Sequence, residues 1–400
     1  MKYRIGDYFS FQNGYAFKSK DFSSSQNGTV IIKIKEFKDN QIDFDSGSAR
    51  IIDSTPYLQQ YGVKTGDILF ALTGDPISRS NPNSWVGRVA RYEKSYCALL
   101  NQRTCKAIQI KDGLEPDYLY YFFCDMNNLL KLAAKATGSA SQANISTKII
   151  ENTIIDAPNC EQQKRIINFL NSINAKISYN RRINDNLVQQ AESIFAHEFL
   201  MIDTIPDGWK KSSLLGIAKY LNGLAMQKYR PNDDEQGLPV LKIRELRQGF
   251  CDANSELCSP SIESEYIIHD GDVIFSWSGS LLVDLWCGGT CGLNQHLFKV
   301  TSSTCDKWFY YSWTNHHLQK FAAIAADMAT TMGHIKRGEL EKAEVLIPSQ
   351  SDYDRIGGLL APLYDLIISN RIENRKLASL RDELLPKLLS GELDVLEAAI

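Results

Sequence analysis

The sequence predicts an α+β chain with a pseudo-two-fold internal repeat, in which two mixed, β-rich domains are separated by two long helices that form an antiparallel coiled coil. Three observations predict it. First, segments of one half return in the other: Gly66-Asp-Ile-Leu-Phe as Gly271-Asp-Val-Ile-Phe, and Leu100-Asn-Gln as Leu293-Asn-Gln. Tyr118-Leu-Tyr-Tyr-Phe-Phe matches Trp308-Phe-Tyr-Tyr-Ser-Trp, and Asn180-Arg-Arg-Ile-Asn-Asp-Asn-Leu matches Asn370-Arg-Ile-Glu-Asn-Arg-Lys-Leu at the same offset. Second, two stretches carry heptads. Third, the remainder alternates short β-branched and aromatic runs with loops rich in Gly, Asn, Ser and Pro. The period is far too long for a solenoid, whose repeats are a few tens of residues. A pseudo-two-fold molecule suits a two-fold object, and duplex DNA is the commonest of these.

Residues 1–158 read as the first domain, with extended runs at Thr29 to Ile34, Asp67 to Leu72, Trp85 to Tyr92 and Arg103 to Ile110. A helical stretch, Glu115 to Ala136, precedes the closing Pro158. Residues 159–202 form the first spacer helix. Ile166, Ile173, Asn180, Leu187 and Ile194 fall seven apart, as do Leu170, Ile177, Asn184 and Ala191. The second domain, 203–348, opens on Pro206-Asp207-Gly208-Trp209 and ends at Pro348. Residues 349–400 hold the second spacer helix and a C-terminal tail. Its seam sets Ile356, Leu363, Asn370, Leu377 and Leu384 against Leu360, Ile367, Asn374 and Leu388, with Arg381 intruding and Pro386 expected to break the last turns. Asn180, Asn184, Asn370 and Asn374 interrupt the two seams at equivalent places. Such Asn residues fix register at a cost in stability, and antiparallel pairing would let them hydrogen-bond across the seam. A helix of nearly forty residues is on the order of 55 Å long at ~1.5 Å per residue, a ruler suited to successive major-groove segments.

The formal net charge is -3, which disfavours tight DNA binding by the chain alone, because phosphate neutralisation needs a basic surplus. Either the basic residues cluster or a partner supplies charge. Nine cysteines without a Cys-x-x-Cys pair suit reduced thiols. The apolar runs are too short to span a bilayer and no signal-like core follows the Met-Lys-Tyr-Arg start, so a cytoplasmic protein with no membrane partner is expected.

The motifs of catalysis are missing. Asn81-Pro82-Asn83-Ser84-Trp85 lacks the second Pro of an adenine methyltransferase motif, Asp75-Pro76-Ile77 lacks it too, and there is no Walker A lysine loop. Cys287, Cys291 and His296 are close in sequence, but their spacing does not suit a zinc knuckle, so no metal is expected. His316-His317 reads as a packing pair on an aromatic helix.

With Leu384-Leu-Pro-Lys-Leu-Leu-Ser-Gly-Glu-Leu closing the second helix, Pro206-x-Gly-Trp opening the second domain, and Asn13-Gly-Tyr-Ala-Phe in the first, the whole chain resembles the DNA specificity subunit of type I restriction-modification systems. The resemblance implies a non-catalytic, cytoplasmic host-defence protein whose two target-recognition domains each read one half of a bipartite, asymmetric site on double-stranded DNA. It implies helices that space those domains and dock two adenine methyltransferase subunits, which restriction/translocase subunits then join. No cofactor is expected on this chain; S-adenosylmethionine, ATP and Mg belong to the partners. Two other readings stay open: a specificity module for a single-chain restriction-methylation enzyme, and a stand-alone DNA-binding scaffold. The first domain departs from the pattern by opening on Lys2-Tyr-Arg-Ile-Gly rather than Pro-x-Gly-Trp.

Base reading requires forked donors and acceptors, Arg for guanine and Asn or Gln for adenine. In the first domain the loop from Thr73 to Arg88 offers Thr73, Arg79, Asn81 and Arg88, and the segment from Gly138 offers Gln142 and Asn144. Lys33 and Lys35 suit phosphates. The second domain offers Lys228, Arg230, Lys242, Arg244 and Arg247, with Ser278 in the loop 276–289 and His334 and Lys336 in the loop 329–336. Loop 276–289 is poor in donors and carries Trp277, Leu281, Leu282 and Trp286, which suggest shape or thymine-methyl contacts, or a surface buried against a partner.

Overall fold

The computed structural model describes residues 1–23, 27–78, 84–139, 142–327 and 335–395. The chain divides into two compact units: Met1–Asn174 with Ser379–Ile400, and Ala175–Ala378. The long helix Cys160–Phe195 contributes its first part to the first unit and the rest to the second, as Gln350–Ser390 does in reverse.

The first unit is built on a six-stranded sheet in the order Phe9–Asn13, Thr104–Gln109, Ile68–Ala71, Val89–Arg91, Gln41–Ile42, Phe37–Lys38. Beside it is a four-stranded sheet in which Thr29–Ile32 runs parallel to Ala98–Leu100. The second unit repeats this plan with Lys219–Asn222, Leu297–Thr301, Val273–Ser276 and Leu282–Leu285 in one sheet, and Leu238–Leu241 parallel to Cys291–Leu293 in the other. Each unit also closes a two-stranded sheet between its first and last strands, Lys2–Arg4 with Ile154–Asp156 and Lys210–Ser213 with Glu344–Ile347.

The repeated Gly-Asp pair has a local reason. Gly66 and Gly271 stand at φ +92° and +85°, backbone that glycine adopts without a Cβ penalty, and their amides donate to Tyr92 O and Trp286 O at 2.8 and 2.6 Å. The Asp that follows caps the turn: Asp67 and Asp272 accept from the amides of Lys64 and His269 at 2.9 and 2.8 Å. Each also pairs with a lysine of the neighbouring strand, Lys106 at 3.3 Å and Lys299 at 2.9 Å. The next four residues, Ile68–Ala71 and Val273–Ser276, are buried throughout, as central strands covered on both faces require.

Each long helix starts on a capping side chain after a proline: Asn159 Oδ1 accepts from the Gln162 amide at 3.0 Å, and Ser349 Oγ from the Asp352 amide at 3.3 Å. In the first unit Ile166, Ile167 and Leu170 join Leu385, Leu388 and Leu389 in the core that also holds Tyr118, Tyr121 and Phe123. In the second unit Leu187, Ala191 and Phe195 share a core with Ile356, Leu360, Tyr364 and Ile367. The four seam asparagines pair within this unit. Asn180 donates to Asn374 Oδ1 at 3.0 Å and to Glu373 Oε2 at 2.6 Å, while Asn370 donates to Asn184 Oδ1 at 2.9 Å. The pairing of 180 with 374 and 184 with 370 makes these helix segments antiparallel. In the first unit Arg381, the intruder in the heptad, is satisfied by Asn174 Oδ1 at 3.0 Å and Asp382 Oδ1 at 2.8 Å.

Two expectations are corrected. The second helix runs on through Pro386 to Ser390: proline removes one helical donor, but Leu385, Leu388 and Leu389 on the same turns are buried in the first unit's core and hold the segment helical. The stretch after Glu115 is two helices rather than one, Pro116–Cys124 and Met126–Ala133, because Asp125 is extended and caps the second by accepting from the Asn128 amide.

Candidate nucleic-acid interface

In the first unit, strand pairing brings the two nominated loops together. The short strand Thr73–Gly74 pairs with Gln142–Asn144, which also pairs antiparallel with Thr137–Ser139. The Thr73 hydroxyl, buried, donates to Asn144 Oδ1 at 3.0 Å, so Thr73 orients the exposed Asn144 rather than facing outward. Gln142 is half-buried on the same strand. The base of the loop is closed where the amide of Asp75 donates to Ser84 O at 2.8 Å and that of Val86 to Asp75 O at 3.1 Å. Gly74 is required here, since a Cβ would lie 2.6 Å from the Val86 nitrogen. Arg79 and Asn81 lie outside the described residues.

Arg88 is corrected from a base reader to an internal strut. Its guanidinium donates to Trp85 O at 3.0 Å, Phe37 O at 2.9 Å and Ile34 O at 3.2 Å, and burial pulls it down from its ordinary value to about 10. It remains a cation at neutral pH, and its donors tie the loop to the turn that carries Lys33 and Lys35.

That turn is built twice. In the first unit the buried Glu36 accepts from the Lys33 amide at 3.0 Å and from Ser48 Oγ at 3.1 Å, and Ser48 Oγ accepts from the Asp45 amide at 3.0 Å. The exposed Lys35 lies 3.5 Å from both Glu36 and Asp45, and Lys33 sits over the Phe22 ring at 4.1 Å. In the second unit the buried Glu245 accepts from Ser255 Oγ at 3.1 Å, and Ser255 Oγ from the Asp252 amide at 3.0 Å. Arg244 takes the place of Lys35, 2.7 Å from Glu245 and 3.1 Å from Asp252. The signal was present in the sequence as Val30-Ile-Ile-Lys-Ile-Lys-Glu against Pro239-Val-Leu-Lys-Ile-Arg-Glu, with Asp45-x-x-Ser48 matching Asp252-x-x-Ser255. In each turn the buried carboxylate holds an exposed basic side chain beside a strand end.

Around the second turn, Lys242 pairs with Glu256, and Arg230 lies 3.0 Å from Glu256. Lys228 and Arg247 are exposed. The loops of the second unit meet as those of the first do: the Ile335 amide donates to Trp277 O at 3.1 Å, as the Ile145 amide donates to Leu72 O at 2.9 Å. Lys336 is exposed at the start of the helix Arg337–Lys342; His334 lies outside the described residues. Ser278 is buried with its hydroxyl 3.2 Å from His296 Nδ1, which makes it a support for the exposed His296.

The expected apolar reading surface of loop 276–289 is corrected. Trp286 is fully buried in a core with Leu241 and Leu293, and the half-buried Leu282 packs on it. Trp277 packs on Phe298 and donates to Asn222 Oδ1 at 3.0 Å. These large side chains hold the strand rather than present a face. Among the described residues no group of three His, Cys, Asp or Glu is placed to hold a metal, and no helix is long and apolar enough to cross a membrane.

Comparison with known proteins fits this duplicated plan. Residues 1–189 and 206–380 each match the type I restriction modification DNA specificity domain. Over 72% of this chain and 71% of its own, the MjaIX type I restriction enzyme specificity subunit of Methanocaldococcus jannaschii is 24% identical. The EcoBI specificity subunit of Escherichia coli is 20% identical over 95% of this chain and 83% of its own. The crystal structure of a type I restriction-modification S subunit from M. genitalium shares the fold, with a TM-score of 0.55 at 13% identity over 97% of this chain and 95% of that one. Two unlike copies of one domain, each joined to a long helix, place this chain in the type I restriction modification DNA specificity family, to which it belongs.

Proposed function

We propose that this chain is the DNA specificity subunit of a type I restriction-modification complex, acting in the cytoplasm. Each domain reads one half of a bipartite, asymmetric site on double-stranded DNA through the loops and basic turns described above. The helices space the domains and dock two adenine methyltransferase subunits, which restriction subunits join. The chain itself is non-catalytic; S-adenosylmethionine, ATP and Mg act on the partner subunits. The observation that carries this reading is the repetition of one backbone frame with different polar side chains at its loops, as separate reading of two unlike half-sites requires. The acidic balance favours a partner that supplies charge, since a lone DNA binder would need a basic surplus.

Native mass spectrometry of the chain co-expressed with its methyltransferase partner tests this. The reading expects one copy of this chain with two of the methyltransferase, and host DNA methylated only when both are present. Tight, steeply salt-dependent DNA binding by this chain alone, with no complex formed, would favour the stand-alone scaffold instead.

A further inference from the structure

A second pair of equivalent features lies outside the nominated residues. The turn between Ala98–Leu100 and Thr104–Gln109 recurs between Cys291–Leu293 and Leu297–Thr301, and its frame is the same in both units. The amides of Asn101 and Asn294 donate to Ile32 O and Leu241 O at 3.1 and 3.2 Å. Those of Gln102 and Gln295 donate to Tyr15 O and Leu224 O, both at 2.9 Å. Thr104 and Leu297 close the turn by donating to Asn101 O and Asn294 O at 2.9 and 3.0 Å. Gly14 and Gly223 pack so tightly on it that a Cβ would stand 2.2 and 2.3 Å from those same carbonyl oxygens. Asn101 and Asn294 are buried by this packing.

What the frame presents is the pair of residues at its centre. Gln102 and Arg103 are exposed, and Gln295 is half-buried beside the exposed His296. Each pair lies against the loop that leads into its unit's candidate site. The Leu72 amide donates to Arg103 O at 2.9 Å, next to Thr73. In the second unit His296 is steadied by Ser278 at 3.2 Å, and its Nε2 is 3.4 Å from the side-chain Nε2 of Gln295. Side chains carried on a backbone that is fixed by its own hydrogen bonds are placed well for recognition. Gln and Arg carry the forked groups that match adenine and guanine edges.

We propose that these turns are sequence readers: Gln102 and Arg103 contact base edges in one half-site, and Gln295 and His296 in the other. The glutamine is common to both, and the change from Arg to His at the neighbouring position gives the two units different preferences. The assignment rests on the DNA-reading function proposed above and adds the residues that set its specificity.

The test is to make Arg103→Ala and His296→Ala singly in the full chain, co-express each with the methyltransferase partner, and map methylated adenines by single-molecule sequencing beside the unsubstituted complex. Arg103→Ala should relax one block of the split motif, with a loss of discrimination on the order of tenfold to a hundredfold at a contacted base, leaving the other block and the spacer unchanged. His296→Ala should relax the opposite block. Gln102→Ala supplies a third exposed-tip variant, and melting curves that match the unsubstituted complex separate lost reading from lost folding. A split motif left intact by all three variants, or weakened evenly on every sequence as loss of a phosphate contact would do, overturns this assignment alone. Absence of any split motif from the unsubstituted complex overturns the function beneath it, and the assignment with it.

Discussion

The role of a single side chain in this protein follows from what its polar atoms already hold. Arg88 was legible as a candidate reader from its residue type and its place after a Gly- and Pro-shaped loop, but residue type says nothing of direction, and its donors turn inward to three carbonyls. Arg88→Ala leaves those acceptors without their donor and should lower stability by about 2 kcal/mol, with any effect on DNA specificity arising only through the loop it braces; a variant as stable as the parent would contradict the strut. Arg375 and Asp270 illustrate the same logic in the second unit. Two contacts of 2.7 Å join them, and the hydrogen bonds from Arg375 hold the Asp270 carboxyl below its ordinary value. A carboxyl whose folded value is depressed stabilises the fold above its unfolded value and loses that contribution as pH falls through the folded one. Asp270→Asn should therefore cost about 1–2 kcal/mol at neutral pH and flatten the acid-side loss of stability below about pH 4. Denaturant titrations from neutral pH down to about pH 3 measure both, and an unaltered acid limb would count against the ion pair.

At the scale of elements, what repeats with a clean period was legible and what depends on packing was not. The heptads gave the helices because a seam leaves a period in the sequence, whereas the passage of the second helix through Pro386 depends on the buried Leu385, Leu388 and Leu389 around it. The four asparagines were visible as interruptions of that period, and their pairing across the helices in the second unit accounts for their spacing. Replacing all four by Leu should raise the melting temperature and loosen register, because apolar packing is the stronger but less selective contact; a lower melting temperature with partner assembly unchanged would refute this. The turns offer a second test. Gly14→Ala or Gly223→Ala would drive a methyl group into a carbonyl oxygen at 2.2 or 2.3 Å and should destabilise the affected unit by about 3 kcal/mol or more. Wild-type-like unfolding of either variant would mean that the frame is softer than its hydrogen bonds imply.

For the molecule as a whole, duplication was the most legible property, and it reaches further than the sequence echoes first indicated. Sheet order, the Gly-Asp turn, the buried-glutamate turn and the Asn-Gln turn all occur in both units. The buried-glutamate turn is not legible in the sequence as a buried feature, because its two acids, Glu36 and Glu245, look like ordinary surface charges there. Burial and a serine partner reveal them only in three dimensions. The side chains that would distinguish one half-site from the other sit where the two copies differ, at Arg103 against His296. On the function proposed above, the two units read two unlike half-sites as parts of one target. Genome-wide mapping of methylated adenines in cells expressing this chain with its methyltransferase partner tests it most directly. Two unlike reading domains should give one motif made of two short, different specific blocks around an unspecified spacer; a stable complex that methylates a single uninterrupted motif, or none, would rule this reading out.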